Sequence, residues 1–161
     1  MQKTFIALTL AIASTAALAD GFYVGADAGT THSTQLASGG TVGAFAGYEW
    51  NHNIAAELGY EQFPGLVGAN GGHAHAVKLD GVATTYFDKA QTFGLFGFAG
   101  INSSGVTGAG SGFGYDGGIG LRYNVSNNFD VRLKGEYLKI GSNAGYTINE
   151  GDITLGAAYH F

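Results

Sequence analysis

The chain contains no cysteine and a single proline, and only 12% of its 161 residues are charged. Without thiols there are no disulfide scaffolds, thiolate zinc sites, iron–sulfur clusters or cysteine nucleophiles. Basic residues are scarce too. Seven Lys and Arg stand against twelve Asp and Glu, a formal net charge of −5 at pH 7, so the basic footprint of a nucleic-acid partner is missing. No apolar run of about 18 residues follows the N-terminal region, so no helical membrane span is expected. Glycine is abundant instead, with 29 residues, about 18% of the chain against a usual figure of about 7%. Hydrophobic residues at 45% and aromatics at 13% exclude a disordered chain, and the length fits one domain.

The N-terminus reads as an export signal. Met1-Gln2-Lys3 is a short basic start, residues 4–15 are apolar, and Ala17-Leu18-Ala19 has the small-x-small form of a cleavage site. The expected division is 1–19 signal peptide and 20–161 mature domain. Cleavage removes Lys3, so the mature charge becomes 6 − 12 = −6. An exported chain without cysteine suits a Gram-negative envelope better than a small disulfide-stapled secreted domain.

Beyond residue 20 the dominant period is two. Ile153, Leu155, Ala157, Tyr159 and Phe161 fall on one parity, and Phe129, Val131, Leu133, Gly135 and Tyr137 on another, with Asp130, Arg132, Lys134 and Glu136 between them. A helix would scatter those charges around its circumference, whereas a strand puts them on one face. Eight such segments are predicted, at 21–30, 40–50, 53–63, 74–87, 90–102, 112–125, 128–140 and 152–161. Each is long for a soluble strand and near the length of a tilted membrane strand, about 9–11 residues. In the fifth, Phe93, Leu95 and Ile101 lie on one parity and Phe96 and Phe98 on the other, which predicts a bulge or a register shift. Tight Asn/Asp-rich turns at 50–53, 87–90 and 124–128 alternate with longer Gly/Ser/Thr/Asn loops at 30–39, 64–73, 103–111 and 141–151. That is the layout of an up-and-down barrel crossing an outer membrane.

Alternation alone does not say which face meets water, since a soluble eight-stranded barrel alternates with its apolar side inward. Three features point the apolar side outward. The polar face is crowded with glycine, which suits a lumen only wide enough for side chains. Aromatics of the apolar face gather at strand ends: Phe22, Tyr48, Trp50, Phe87, Tyr123, Phe129, Tyr159 and Phe161 at the short-turn end, and Tyr60, Phe113, Tyr115 and Tyr137 towards the other. These form two interfacial girdles. The polar face also carries both signs of charge, as a closed polar interior requires.

Gly21-Phe22-Tyr23-Val24-Gly25, Val131-Arg132-Leu133-Lys134-Gly135-Glu136-Tyr137 and the terminal Ile153–Phe161 pattern carry a resemblance that covers the whole mature chain. It resembles the small eight-stranded outer-membrane β-barrels: the OmpA transmembrane domain, the opacity proteins and neisserial surface protein A. The resemblance implies an all-β, eight-stranded antiparallel transmembrane barrel surrounded by outer-membrane lipid and lipopolysaccharide. It also implies recognition of the last strand, ending at Phe161, by the barrel-assembly machinery. The peptidoglycan-binding domain of full-length OmpA has no counterpart in this sequence.

The inward charges are the best-defined constellation. Counted from the short-turn end, Glu57, Asp80, Arg132, Lys134 and Glu136 are placed to form a mid-barrel network, with Lys78, Asp116 and Arg122 on the same polar face. Such a network either neutralises buried charge or acts as a gate whose ion pairs exchange partners. His73 and His75 share one side of a strand end, but a third metal ligand is lacking, so no metal or cofactor is expected. His160 faces inward near the short-turn mouth. An enzyme is not expected: Ser33 follows His32 directly, so a strand directs them to opposite faces. Loop segments 30–39, 64–73 and 103–111 contain no charged residue, which argues against sulfated glycans, while Pro64-Gly65-Leu66-Val67 offers two aliphatic side chains either to the loop's own packing or to a host protein or lipopolysaccharide. The expected role is structural or adhesin-like, through four short extracellular loops; the alternative is a narrow porin-like channel.

Overall fold

The computed structural model describes residues 21–33, 38–67, 72–106, 110–141 and 147–161, with side chains at 65–67, 72, 73, 106, 140, 141, 147 and 148 set aside. The expected signal peptide, His73 and the Leu66–Val67 patch therefore lie outside the described residues or side chains. The elements are β1(Phe22–Ser33), β2(Gly39–Asn51), β3(Ile54–Val67), β4(Gly72–Tyr86), β5(Phe93–Val106), β6(Gly110–Ser126), β7(Phe129–Gly141) and β8(Thr147–His160). Each strand pairs antiparallel with its sequence neighbour, and β1 pairs with β8, which closes the barrel.

The ladder register fixes the shear. Starting at Phe22, the pairs run through Tyr48, Ala56, Gly81, Ala99, Gly117, Tyr137 and Gly151 and return to β1 at His32. The displacement is 32 − 22 = 10 residues. With a rise of about 3.3 Å per residue and strands about 4.8 Å apart, ten residues of shear over eight strands tilts the strands by about 40°. At that tilt about ten residues cross the apolar band of about 25 Å.

Burial follows the alternation. Leu58, Leu79, Ile101, Ile119, Leu121, Ile153 and Leu155 are exposed, whereas Glu61, Lys78, Asp80, Asp116, Arg122, Arg132 and Glu136 are buried. This is the inverse of a soluble core. It is stable only where the outer face meets hydrocarbon, because the inner polar groups then find partners and the outer side chains need none. Every short-turn aromatic of the predicted girdle lies on the outward parity, with Trp50 and Phe87 the most exposed.

Two expectations are corrected. The fifth strand has no bulge: its pairings with β4 and β6 run without a register shift from Phe93 to Val106. Phe96 and Phe98 simply point inward, at 5% and 8% exposure. The strands also run further into the long connections than the polar composition suggested, reaching Ser33, Val67, Val106 and Gly141, so those loops are shorter. Conversely, the turn expected at 87–90 spans six residues, 87–92, since β4 ends at Tyr86 and β5 begins at Phe93.

Asp88 organises that turn. Its carboxylate accepts the backbone N–H groups of Thr92 at 2.9 and 3.1 Å and of Phe93 at 3.1 Å, and its carbonyl accepts the N–H of Gln91, which sits at φ +55°. The Phe93 and Thr92 amides hold the carboxyl below its usual value of 3.8. A depressed folded-state value means that the stabilisation is present above the unfolded pKa and disappears as pH falls through the folded one. Asp88→Ala is therefore expected to lower the urea midpoint at pH 7, and the gap from wild type should close below about pH 4. Equal midpoints at pH 7 would remove this role for the turn carboxylate.

Candidate functional site

The bore is the only place where chemistry-bearing side chains converge among the described residues. All the acidic residues point into it except Asp20, outside the described residues, and Asp88, in its turn. Lys78, Arg122, Arg132 and Lys134 point in with them. The contents form three tiers.

The tier at the short-turn mouth is an ion cluster. Arg122 binds Glu49 at 2.6 Å and Asp130 at 3.0 Å. Arg132 binds Asp130 at 2.8 Å and also pairs with Glu57. His160 Nε2 lies 2.6 Å from Asp130 and 2.8 Å from the Arg122 guanidinium, and its ring stacks on Tyr23 at 5.0 Å. The Tyr23 hydroxyl donates to Glu57 at 2.7 Å.

Above it lies a layer of rings that the sequence reading missed. Tyr23, Phe45, Phe96 and Phe98 all point inward. Each pairs across the ladder with a glycine: Tyr23 with Gly47, Phe45 with Gly25, Phe96 with Gly120 and Phe98 with Gly118. A Cβ on any of these glycines would enter the ring beside it. The glycines of the polar face thus serve as seats for rings, not only as room for long charged side chains. The Arg132 guanidinium lies 4.9 Å from the Tyr23 centroid, 5.1 Å from Phe45 and 6.0 Å from Phe96, and Lys134 Nζ lies 5.5 Å from Phe98. Delocalised guanidinium charge is well suited to such faces. Arg132 therefore locks the mouth cluster to the ring layer.

The third tier lies towards the long loops. Lys78 binds Glu61 and Glu136, both at 2.7 Å, and Lys134 binds Glu136 at 2.9 Å, Glu61 at 3.0 Å and Asp27 at 3.3 Å. Here the predicted network changes membership. Among the described residues Asp80 and Asp116 have no ion pair within 4 Å; they face each other, and Asn102 donates to Asp116 at 3.0 Å. Glu49, Glu61, Asp27 and Asp130 take the places expected for them. The shear explains the difference, because equal distance from the turns does not mean equal height around a tilted barrel.

Free space in the bore is small. The mid-barrel cavity, lined by Phe45, Phe96, Arg132, Lys134, Asp80 and Thr154 among others, has a volume of about 30 Å³, enough for a water or two. A wider concavity of about 840 Å³ opens at the short-turn mouth, over Glu49, Arg122 and His160.

Among the described residues no group of three or more His, Asp or Glu is arranged to hold a metal ion. One contact escaped the sequence reading: His32 Nδ1 lies 2.8 Å from Ser38 Oγ, with both residues exposed. The expectation concerned Ser33; the partner lies across the hairpin instead, and no carboxylate pairs with that imidazole among the described residues.

Sealed bore, outward apolar band and girdles define a membrane-spanning β-barrel with a filled lumen. The chain belongs to the outer membrane protein beta-barrel domain family, whose model matches residues 4–161, and its place is the Gram-negative outer membrane. No curated protein sequence matches it. Among solved structures, neisserial surface protein A is similar over 88% of this chain and 98% of its own, at 21% identity and a TM-score of 0.73. The N-terminal barrel of Pseudomonas aeruginosa OprF covers 86% and 97%, at 17% identity and 0.61. Ail, the attachment invasion locus protein of Yersinia pestis, covers 89% and 100%, at 17% identity and 0.56. The outer membrane enzyme PagL is also similar, at 17% identity and 0.55, over 83% and 97%. At these identities the likeness is one of fold.

Proposed function

We propose that this protein is a non-enzymatic surface barrel, exported by cleavage after Ala19, which presents its extracellular loops to an external ligand while its bore stays shut. The observation that carries this reading is the filled lumen, where a guanidinium packs among three rings beside a cavity of about 30 Å³. A bore so filled passes no solute, which leaves the outer surface to interact. Among the described residues the His32–Ser38 contact has no orienting carboxylate of the kind nucleophilic catalysis uses, which supports the non-enzymatic reading. The outward Tyr159 and Phe161 at the last strand support delivery by the barrel-assembly machinery. Neisserial surface protein A and Ail add a precedent for surface-exposed barrels on this fold.

Ail has been solved with the heparin analogue sucrose octasulfate. Three of the four loop segments of this chain carry no charge, so a sulfated ligand is disfavoured here. The purified barrel is expected to pass a heparin column at low salt unretained, and to bind host cells or matrix proteins in a manner lost on loop deletion. Retention on heparin, or cell binding that survives removal of all four loops, contradicts the reading.

A narrow ion channel is the second reading. One observation favours it: Lys134 lies within 3.3 Å of three carboxylates, so its partners can exchange. Planar-bilayer recording separates the two. Stable unitary conductance of the wild type supports the channel, and a silent bilayer supports the closed barrel.

A further inference from the structure

Among the described residues, a single Asp, Glu, Lys or Arg side chain stands on the outward face of a strand: Lys139 of β7. Outward parity on β7 runs from Phe129 through Leu133 and Tyr137 to Lys139, while Leu138 beside it is fully buried. A charge on the lipid side of a membrane strand is costly away from the interface and calls for a partner. Among the described residues no carboxylate lies within 4 Å of this ammonium. Its Nζ rests instead on the Tyr115 ring, 5.1 Å from the centroid.

Depth decides what the ammonium meets. Lys139 lies 139 − 129 = 10 residues beyond Phe129, which opens β7 in the short-turn girdle. Strands tilted by about 40° climb about 2.5 Å per residue, so ten residues raise Lys139 by about 25 Å, the height of the apolar band. The ammonium therefore stands where hydrocarbon gives way to headgroups, at the long-loop end, which faces the outer leaflet.

Three neighbours shape the spot. Tyr115 and Asn149 pair with Lys139 across its two ladders, on the same outward face. The shear makes each step from one strand to the next climb about 3 Å, so Tyr115 lies below Lys139 and Asn149 above it, among headgroups. Phe113, two residues beyond Tyr115 on β6, reaches about 2 Å above the level of Lys139. At 84% it is the most exposed large apolar side chain among the described residues. Lipid headgroups supply phosphate, which lysine binds as a point charge. A bare phenyl ring at that level gains by covering the apolar C–H face of a sugar, which a glycolipid offers and a simple phospholipid does not.

We propose that Lys139, held on Tyr115 and flanked by Asn149 and Phe113, binds a phosphate of a phosphorylated glycolipid in the outer leaflet, with a sugar of the same headgroup over Phe113. The site rests on the outer-membrane placement and is independent of what the loops bind and of whether the bore conducts.

The test uses the refolded full barrel in a zwitterionic detergent, with retained lipids counted by native mass spectrometry. The probes are purified lipid A, phosphatidylglycerol and phosphatidylcholine. Wild type is expected to retain one lipid A in preference to either phospholipid. Lys139→Gln keeps most of the bulk and should bind lipid A about fivefold more weakly, the effect of one lysine near an anionic surface. Lys139→Arg should bind as wild type does, and so should Lys89→Gln, altered in the short turn at the opposite end. Phe113→Ser should lose the preference for lipid A over phosphatidylglycerol. Equal lipid A binding by wild type and Lys139→Gln, or an equal loss in Lys89→Gln, overturns the proposal. So does wild-type retention of either phospholipid to the same extent as lipid A, since Lys139 would then be a plain interfacial anchor.

Discussion

Arg132→Ala is expected to destabilise the barrel by about 3–5 kcal/mol, the cost of leaving buried charges without their partner. The guanidinium serves Asp130 and Glu57 at once and lies among Tyr23, Phe45 and Phe96. Truncation leaves Glu57 with only the Tyr23 hydroxyl and Asp130 with only Arg122 and His160, and it opens the seal between the mouth cluster and the ring layer. Two readouts should therefore move together: the urea midpoint, followed by band shift on unboiled gels, should fall, and conductance in planar bilayers should rise. Arg132→Met restores bulk but not charge, so it should recover part of the blockage and little of the stability. A stable and silent Arg132→Ala barrel would mean that Arg132 neither seals nor holds the bore.

Gly120→Val is expected to cost about 3 kcal/mol or more, at the upper end of overpacking effects. A side chain at Gly120 would enter the Phe96 ring and meet the carbonyl of Leu133. The ring is flanked by Arg132 and Phe98, and the cavity it borders, about 30 Å³, is too small to take it. Phe96→Ala alone should cost about 3–5 kcal/mol through lost packing. If ring and glycine are a matched pair, the double variant should be more stable than the sum of the singles by about 1–3 kcal/mol. Strict additivity would contradict the pairing.

These matched pairs mark where the sequence was readable and where it was not. Strand number follows from period two, and orientation and girdles from where glycine, both signs of charge and the aromatics fall on its two faces, because each strand has one lipid face and one lumen face. Phe96 and Phe98 broke the pattern and suggested a bulge, although the strand is regular. A ring on the polar parity is a lumen residue when a glycine lies opposite it across the ladder, but that partner is visible only once register is known. Phe45 with Gly25 and Tyr23 with Gly47 follow the same rule. The ion pairs were half legible. Arg132 with Glu57 could be found by counting from the turns, whereas Lys78 with Glu136 spans the bore from β4 to β7 and depends on the ten-residue shear. His32 in β1 meets Ser38, just before β2, six residues on, and leaves no mark in local spacing.

The account depends on the apolar face touching lipid while the charged face lines the bore. A single tryptophan reports on this directly, in a Trp50→Phe background reconstituted into brominated phosphatidylcholine. Ile119→Trp, on the outward face at 67% exposure, should be strongly quenched by bromine. Phe96→Trp, facing inward at 5%, should keep its emission. Quenching at position 96 with protection at position 119 would turn the barrel inside out and contradict the account.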